Sequence, residues 1–323
     1  MDAHLRRRRA GDPRLDLAAL NRILVVNAGS TSLKLSVVDE EERSEPLPSL
    51  DASEGTAAVG HRVVHGGRVF GESALIDDDV VGRIRDLASL APLHTEPALR
   101  GIATAQAALP EVPHVAVFDS AFHRTIPEEA STYAIPSRWR AEWGIRRYGF
   151  HGLAVASVAD IVEARRLVVC HLGGGCSVTA VLGGRSVDTT MGFSPLEGVP
   201  MATRSGSIDP GAIFYLQREH GLSAAELDDA LEHESGLAAL GGLDDPLGFG
   251  VYTYRVALAA AAMAAALGGI DVLAFSGGVG ENRGDVREAV AKRLRFLGEF
   301  GVEVVSPRED VIIARHVRAL LDR

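Results

Sequence analysis

Two stretches of this sequence follow one plan: an apolar run, a turn of small residues, and a second strand-like run. The first is Asn27-Ala-Gly-Ser-Thr-Ser-Leu-Lys-Leu, entered from the apolar residues 23–26. The second is His171-Leu-Gly-Gly-Gly-Cys-Ser-Val-Thr, entered from 166–170. A turn of this kind between extended runs reads as a hairpin. Its return about 145 residues later predicts two related domains facing one cleft. Further strand-like segments at 58–64, 114–118 and 272–276 alternate with helical patterns at 79–90, 96–109, 152–164, 210–219, 223–231, 252–267, 283–297 and 310–321. That alternation predicts an α/β protein. Residues 40–53, acidic and proline-containing, read as a loop, and 323 residues leave room for two domains.

Composition mainly excludes. An apolar share of 46% against 24% charged residues rules out a disordered chain. A net charge of −10 has the wrong sign for a nucleic-acid binder, so no nucleic-acid partner is expected. The basic run Arg6 to Arg9 falls in an extension, 1–21, expected to be a disordered tail. No apolar stretch follows it to make a secretory signal, and the segment 256–267 is mostly alanine and too short to span a bilayer. Cys170 and Cys176 make neither a disulfide framework nor a zinc site, and the histidines lack metal-ligand spacing. The expectation is a cytoplasmic protein with no membrane partner.

Chemistry gathers at the strand ends. The turn between Asn27 and Lys34 can cradle phosphate oxygens with converging N–H groups, or can be an ordinary hairpin turn. Arg62, ending a strand before His65-Gly66-Gly67, can clamp a carboxylate or phosphate, or can lie on the surface. Asp119 closes the apolar run 115–118, as an active-site carboxylate or as a cap. Arg204 sits in a loop leading to a helix at Pro210, and the cluster Phe275-Ser-Gly-Gly-Val-Gly-Glu-Asn282 follows a strand and opens a helix. There is no Gly-x-x-x-x-Gly-Lys-Ser/Thr motif and no Gly-x-Gly-x-x-Gly. Glycine loops and loop arginines without a nucleophile–base pair point to phosphoryl transfer, which needs positioning and charge neutralisation.

Together these segments resemble the acetate kinase family, within the sugar kinase/Hsp70/actin superfamily. The matching motifs are Val26-Asn-Ala-Gly-Ser-Thr-Ser-Leu-Lys34, Gly60-His-Arg-Val-Val-His-Gly-Gly67, Leu90-Ala-Pro-Leu-His94, Val117-Phe-Asp-Ser-Ala-Phe-His123 and Arg147-Tyr-Gly-Phe-His-Gly152. They continue through Cys170-His-Leu-Gly173, Val187-Asp-Thr-Thr-Met-Gly-Phe-Ser-Pro-Leu-Glu-Gly198, Thr203-Arg-Ser-Gly-Ser-Ile-Asp-Pro210, Ser276-Gly-Gly-Val-Gly-Glu-Asn282 and Glu309-Asp-Val-Ile-Ile-Ala-Arg315. They run in family order from about residue 22 to the end.

The resemblance implies two ribonuclease H-like (actin/Hsp70-type) domains around a central cleft, one formed by 22–150 plus 308–323 and one by 151–307. It implies direct transfer of the ATP γ-phosphoryl to a carboxylate, giving acyl phosphate and ADP, by a homodimer whose ligands are a small carboxylic acid and a nucleotide. Arg62 and Arg204 would hold the carboxylate and the phosphoryl oxygens, and His151 would bond the phosphoryl group. Asn27 and Glu309 would position Mg²⁺, with Asp119 fixing the geometry. Lys34, His171, Gly173, Gly174 and Gly175 would face the phosphates, and Gly278, Val279, Gly280, Glu281 and Asn282 the nucleoside. Val64, Leu93, Phe150 and Pro195 would line an acyl pocket for acetate, with propionate as the alternative; such a pocket separates acids by only ~1–3 kcal/mol per methylene.

The chain departs from the family in three ways. It is shorter after Asp39, after Gly152 and after Leu240; Gly174 stands where the family keeps an asparagine; and the adenosine-contacting Asp-x-Arg segment has no counterpart around 242–248. Two other readings therefore stand beside the kinase: the same transfer from another donor such as pyrophosphate, and a non-catalytic binder of nucleotide or acyl phosphate.

Overall fold

The computed structural model describes residues 21–28, 33–90 and 92–322. The arginine run of the extension and the turn 29–32 lie outside these residues. The first sheet is built from β1 (Ile23–Ala28), β2 (Leu33–Val38), β3 (Ser44–Leu47), β4 (Ala58–Val63), β5 (Ala74–Leu75) and β6 (His114–Phe118), in the order β3-β2-β1-β4-β6-β5. The second is built from β7 (Arg166–Leu172), β8 (Cys176–Leu182), β9 (Arg185–Thr189), β10 (Val272–Ser276) and β11 (Gly301–Val304), in the order β11-β10-β7-β8-β9. In each sheet a three-strand antiparallel meander is continued from its first strand by two parallel strands: β4 and β6 after β1, and β10 and β11 after β7. The repeat read from the two glycine turns thus extends over both sheets, and the chain is α/β with the doubled plan of a ribonuclease H-like pair.

The apolar run of β1 is continuous because both of its faces are covered. Leu24 and Val26 pack with Val59 and Ala105 on the side of helix Pro92–Ala108. Ile23 and Val25 pack with Ile313 and Val317 of helix Glu309–Leu321 on the other. Gly60 lets that C-terminal helix come down onto the sheet, since a Cβ there would stand 2.6 Å from Ile313 Cγ2. On the second sheet, helix Pro246–Leu267 buries Tyr252, Val256, Ala260 and Met263 against Val178 and Phe275. Helix Gly152–Ile161 lies between the sheets, giving Leu153 to the core of the first and Val155 and Val158 to that of the second.

Several elements differ from the sequence reading. The acidic stretch after β2 carries β3, and β5, β9 and β11 are short edge or near-edge strands with little apolar alternation. Helix Pro246–Leu267 begins six residues before 252, because Asp245 accepts from Leu247 N at 2.7 Å ahead of a proline at the first helical position. By length and composition it could cross a membrane, but its buried stripe belongs to the core described above. The glycine cluster at 277–282 is itself a short helix, Gly277–Asn282. The helix expected over 283–297 is Gly284–Arg293 followed by a 3-10 turn, Arg295–Leu297.

Candidate active site

The parallel strands of each sheet end at the same cleft, the place where α/β sheets bind ligands. Asn27 lies near the end of β1, Arg62 near the end of β4, and Asp119 immediately after β6. From the second sheet come His171 near the end of β7 and Ser276 at the end of β10. Arg62 organises the first group. Its Nη2 donates to Asp119 Oδ2 at 2.6 Å, its Nε to Asp119 Oδ1 at 3.3 Å, and its Nη1 to Asn27 Oδ1 at 3.3 Å. Its Nε also lies 3.5 Å from Glu309 Oε2. Burial works against this cation, but Asp119 and Glu309 outweigh burial and raise its pKa.

Glu309 is the first residue of the C-terminal helix, so that helix positions a carboxylate at the end of the first sheet. Its Oε2 is buried and makes no hydrogen bond among the described residues. Burial raises the Glu309 pKa, Asp119 and Asp310 add to the rise, and Arg62 and Lys34 oppose it. Lys34, exposed on β2, therefore lies within electrostatic reach of this acid.

The second group is centred on two histidines whose rings are 4.7 Å apart. His151 Nδ1 lies 3.1 Å from Ser177 Oγ, and His171 Nδ1 lies 3.1 Å from Ser276 Oγ. With each Nδ1 engaged, Nε2 is the nitrogen left for the cleft. Burial lowers the His151 pKa well below its ordinary value, and His171, Arg62 and Arg204 lower it further. Burial and Arg62 push His171 down to about 4, against an opposing pull from Asp119. Both rings are neutral at pH 7.

The backbone at His151 is unusual. His151 has φ 58°, in the left-handed region that non-glycine residues seldom occupy. It is held there by close approach on both sides. A Cβ on Gly149 would stand 2.6 Å from the His123 ring, and one on Gly152 would overlap the Asp119 carbonyl oxygen.

Arg204 Nη1 donates to Pro195 O at 3.2 Å, and its Nε pairs with Glu232 Oε2 at 2.9 Å. A Cβ on Gly175 would lie 3.1 Å from His151 Nε2 and 3.6 Å from Arg204 Nη1, so bare backbone floors the space between them. Gly173 faces the third glycine cluster, residues 275–282: a Cβ on it would lie 3.6 Å from Gly278 N. Gly174 is exposed, and a Cβ there would meet open space. In the third cluster Glu281 Oε1 accepts from Gly277 N at 3.0 Å, Asn282 Nδ2 donates to Gly278 O at 2.8 Å, Val279 is half-buried and Gly280 is buried. Phe150 is buried and packs in the same cluster as half-buried Val64, and Pro195 is buried. The side chain of Leu93 lies outside the described residues.

Four contributors escape a reading of the sequence alone: Ser177, Ser276, Glu232 and Asp244. The first two follow or precede glycine turns, a usable signal for hydroxyls near the site. Glu232, in helix Ala224–His233, and Asp244, which pairs with Arg283 at 3.1 Å beside the third cluster, carry no such signal.

The chain matches the acetokinase family over residues 48–310. It is 41% identical to an acetate kinase of Deinococcus deserti, across 85% of this chain and 86% of that protein. It is 48% identical to one of Clavibacter michiganensis subsp. michiganensis, across 79% of this chain and 70% of that protein. Among solved structures, a propionate kinase from Francisella tularensis superposes with a TM-score of 0.85 at 31% identity, covering 92% of this chain and 98% of that one.

Proposed function

The chain belongs to the acetokinase family, and from that membership and the cleft geometry we propose that it phosphorylates the carboxylate of acetate, or alternatively propionate, with ATP as donor. A carboxylate oxygen attacks the γ-phosphorus, the bond to the β,γ-bridging oxygen breaks, and ADP leaves with that electron pair. The observation that carries the assignment is that Arg62 is fixed by Asp119 and Asn27 while Arg204 Nη1 and His151 Nε2 both stand over the bare backbone at Gly175. A phosphoryl group in transit would meet two cations and a neutral hydrogen-bond donor, an arrangement that stabilises equatorial charge without protonating the acceptor.

Arg62, preset by Asp119, would take the carboxylate, and Arg204, preset by Glu232 and Pro195 O, the transferred group. Val64, Leu93, Phe150 and Pro195 would enclose the acyl methyl. Lys34, His171 and the glycines 173–175 would face the phosphates, and Gly278 to Asn282 the nucleoside. The bare Gly174 favours a second reading, in which pyrophosphate serves as donor, because less of the nucleotide is gripped there.

The oxygens of Asn27, Asp119 and Glu309, with Glu309 Oε2 buried and unbonded among the described residues, fit Mg²⁺, a hard cation that shares its coordination with water and substrate phosphates. Asn27 and Glu309 would hold it, with Asp119 fixing their orientation through Arg62. When bound it would neutralise charge on the phosphates. The domains 22–150 plus 308–323 and 151–307 would close over the cleft and exclude water. Helix Pro210–His220 buries none of its residues and leaves Phe214 and Tyr215 56% and 51% exposed, which supports a homodimer through this face. A cytoplasmic setting accords with two free, buried cysteines.

The test traps acyl phosphate with hydroxylamine while acid and donor are varied, with Mg²⁺ present. Product from ATP and acetate, reduced by roughly 10²–10³-fold in Arg204→Ala and Glu309→Ala, supports the assignment. Absence of product with ATP and with pyrophosphate, in protein that still binds nucleotide, overturns it.

A further inference from the structure

Away from the cleft, two cavities of about 520 and 250 Å³ adjoin and share Arg68, Arg124 and Arg146 in their walls. Arg140 completes the larger and Arg147 the smaller. Glu128 is the one acid among the residues lining either cavity. Two of the arginines are neutralised, Arg124 by Glu72 at 2.8 Å and Arg147 by Glu197 at 2.8 Å. The other three are not: among the described residues no carboxylate pairs with Arg68, Arg140 or Arg146. Each is instead tethered by a backbone carbonyl. Arg68 Nη1 donates to Ala141 O at 3.2 Å, Arg140 Nη1 to Tyr133 O at 3.1 Å, and Arg146 Nε to Arg147 O at 3.3 Å.

Arg68, Arg124, Arg140, Arg146 and Arg147 around one groove, against the single acid Glu128, make a local excess of positive charge in a chain of net charge −10. Carbonyl tethers also fix the direction of each fork while leaving further N–H groups unused. The groove floor is kept low by glycine: a Cβ on Gly144 would stand 2.8 Å from Arg68 Cδ and 3.2 Å from the Tyr148 hydroxyl. Burial raises the Tyr148 phenol while Arg68 and Arg146 oppose the rise, which brings both guanidiniums into range of one hydroxyl. No residue assigned to the transfer lines either cavity.

We propose that this groove is a binding site, separate from the transfer cleft, for a small anion bearing a diphosphate group. A single carboxylate would leave most of the donors unused, whereas a diphosphate offers oxygens to several forks at once.

The experiment is calorimetric titration of inorganic pyrophosphate, without divalent metal and at low ionic strength. It compares the wild-type protein with Arg204→Ala, Arg68→Ala/Arg146→Ala and the charge reversal Arg146→Glu. Saturable binding that survives Arg204→Ala and weakens tenfold or more in both groove variants is the expected result, with added salt weakening it too. Acyl-phosphate formation by the groove variants, kept at the wild-type rate, certifies their fold. Binding that the groove variants keep, or no saturable binding in the wild type, overturns the proposal.

Discussion

Arg62 is useful because it is already constrained: Asp119 fills one edge of its fork and Asn27 one corner, so little side-chain entropy is left to lose when a carboxylate arrives. Gly174 is the opposite case, a position open on all sides among the described residues. A Cβ there meets none of their atoms within 4 Å and the backbone is not left-handed, so a side chain can be added without strain. Gly174→Asn should leave the melting temperature within about a degree of wild type, since exposed substitutions of this kind stay within ~0.5 kcal/mol. It should also lower the KM for ATP, by roughly two- to tenfold if the amide makes one hydrogen bond to the nucleotide. Steady-state kinetics decide: an unchanged KM would mean that the loop does not face the nucleotide. Arg62 and Asp119 could be singled out because each closes a strand-like run, whereas His151 was reached only through the family-like motif Arg147-Tyr-Gly-Phe-His-Gly152. Glu232 was not legible, because a glutamate on an exposed-looking helix acquires its role only when the loop carrying Arg204 folds beside it.

Among elements, the segment from Tyr148 to Gly152 bears the tightest geometry. It carries Phe150 and His151 into the site, turns left-handed at His151, and starts the helix that packs between the two sheets. Gly152 lets that helix begin against the Asp119 carbonyl. Gly152→Ala should therefore destabilise the fold by about 1–3 kcal/mol, the range for overpacking, and should reduce turnover by displacing both His151 and Asp119. Chemical denaturation with a parallel activity assay reads both effects; a variant as stable and as active as wild type would remove the segment from this role. The β1–β2 and β7–β8 hairpins and their buried parallel neighbours could be read from the sequence because apolar runs and glycine turns encode them directly. The strands β3, β5, β9 and β11 could not: they are short and are placed by pairing with a strand already formed, which leaves little periodicity of their own.

For the molecule as a whole, both sheets and the helix between them bury histidines in neutral form. Burial pushes His65, His123 and His171 down to about 4 and His61 down to about 3, with His114 adding to the fall at His61. In the unfolded chain these groups titrate near 6.5. Below that pH the unfolded state takes up protons that the folded state refuses, so stability is complete above about 6.5 and falls as pH drops toward 4. Each histidine contributes at most about 1.4 kcal/mol per pH unit in that window. Urea midpoints at pH 7, 6 and 5 should decline steadily, and a flat series would contradict the buried neutral assignment. The second consequence at this scale concerns assembly. Helix Pro210–His220 presents Phe214 and Tyr215 to solvent, with Ile208 just ahead of it 43% exposed, and none of them joins a core formed by the described residues. Apolar side chains gathered on one helix favour covering by a second copy, and a two-fold pairing would place each helix against its partner. Sedimentation of the wild type should give a dimer, and Phe214→Glu/Tyr215→Glu a monomer of unchanged melting cooperativity, because the substituted residues support nothing inside the protomer. A double variant that remains dimeric would move the interface to another face.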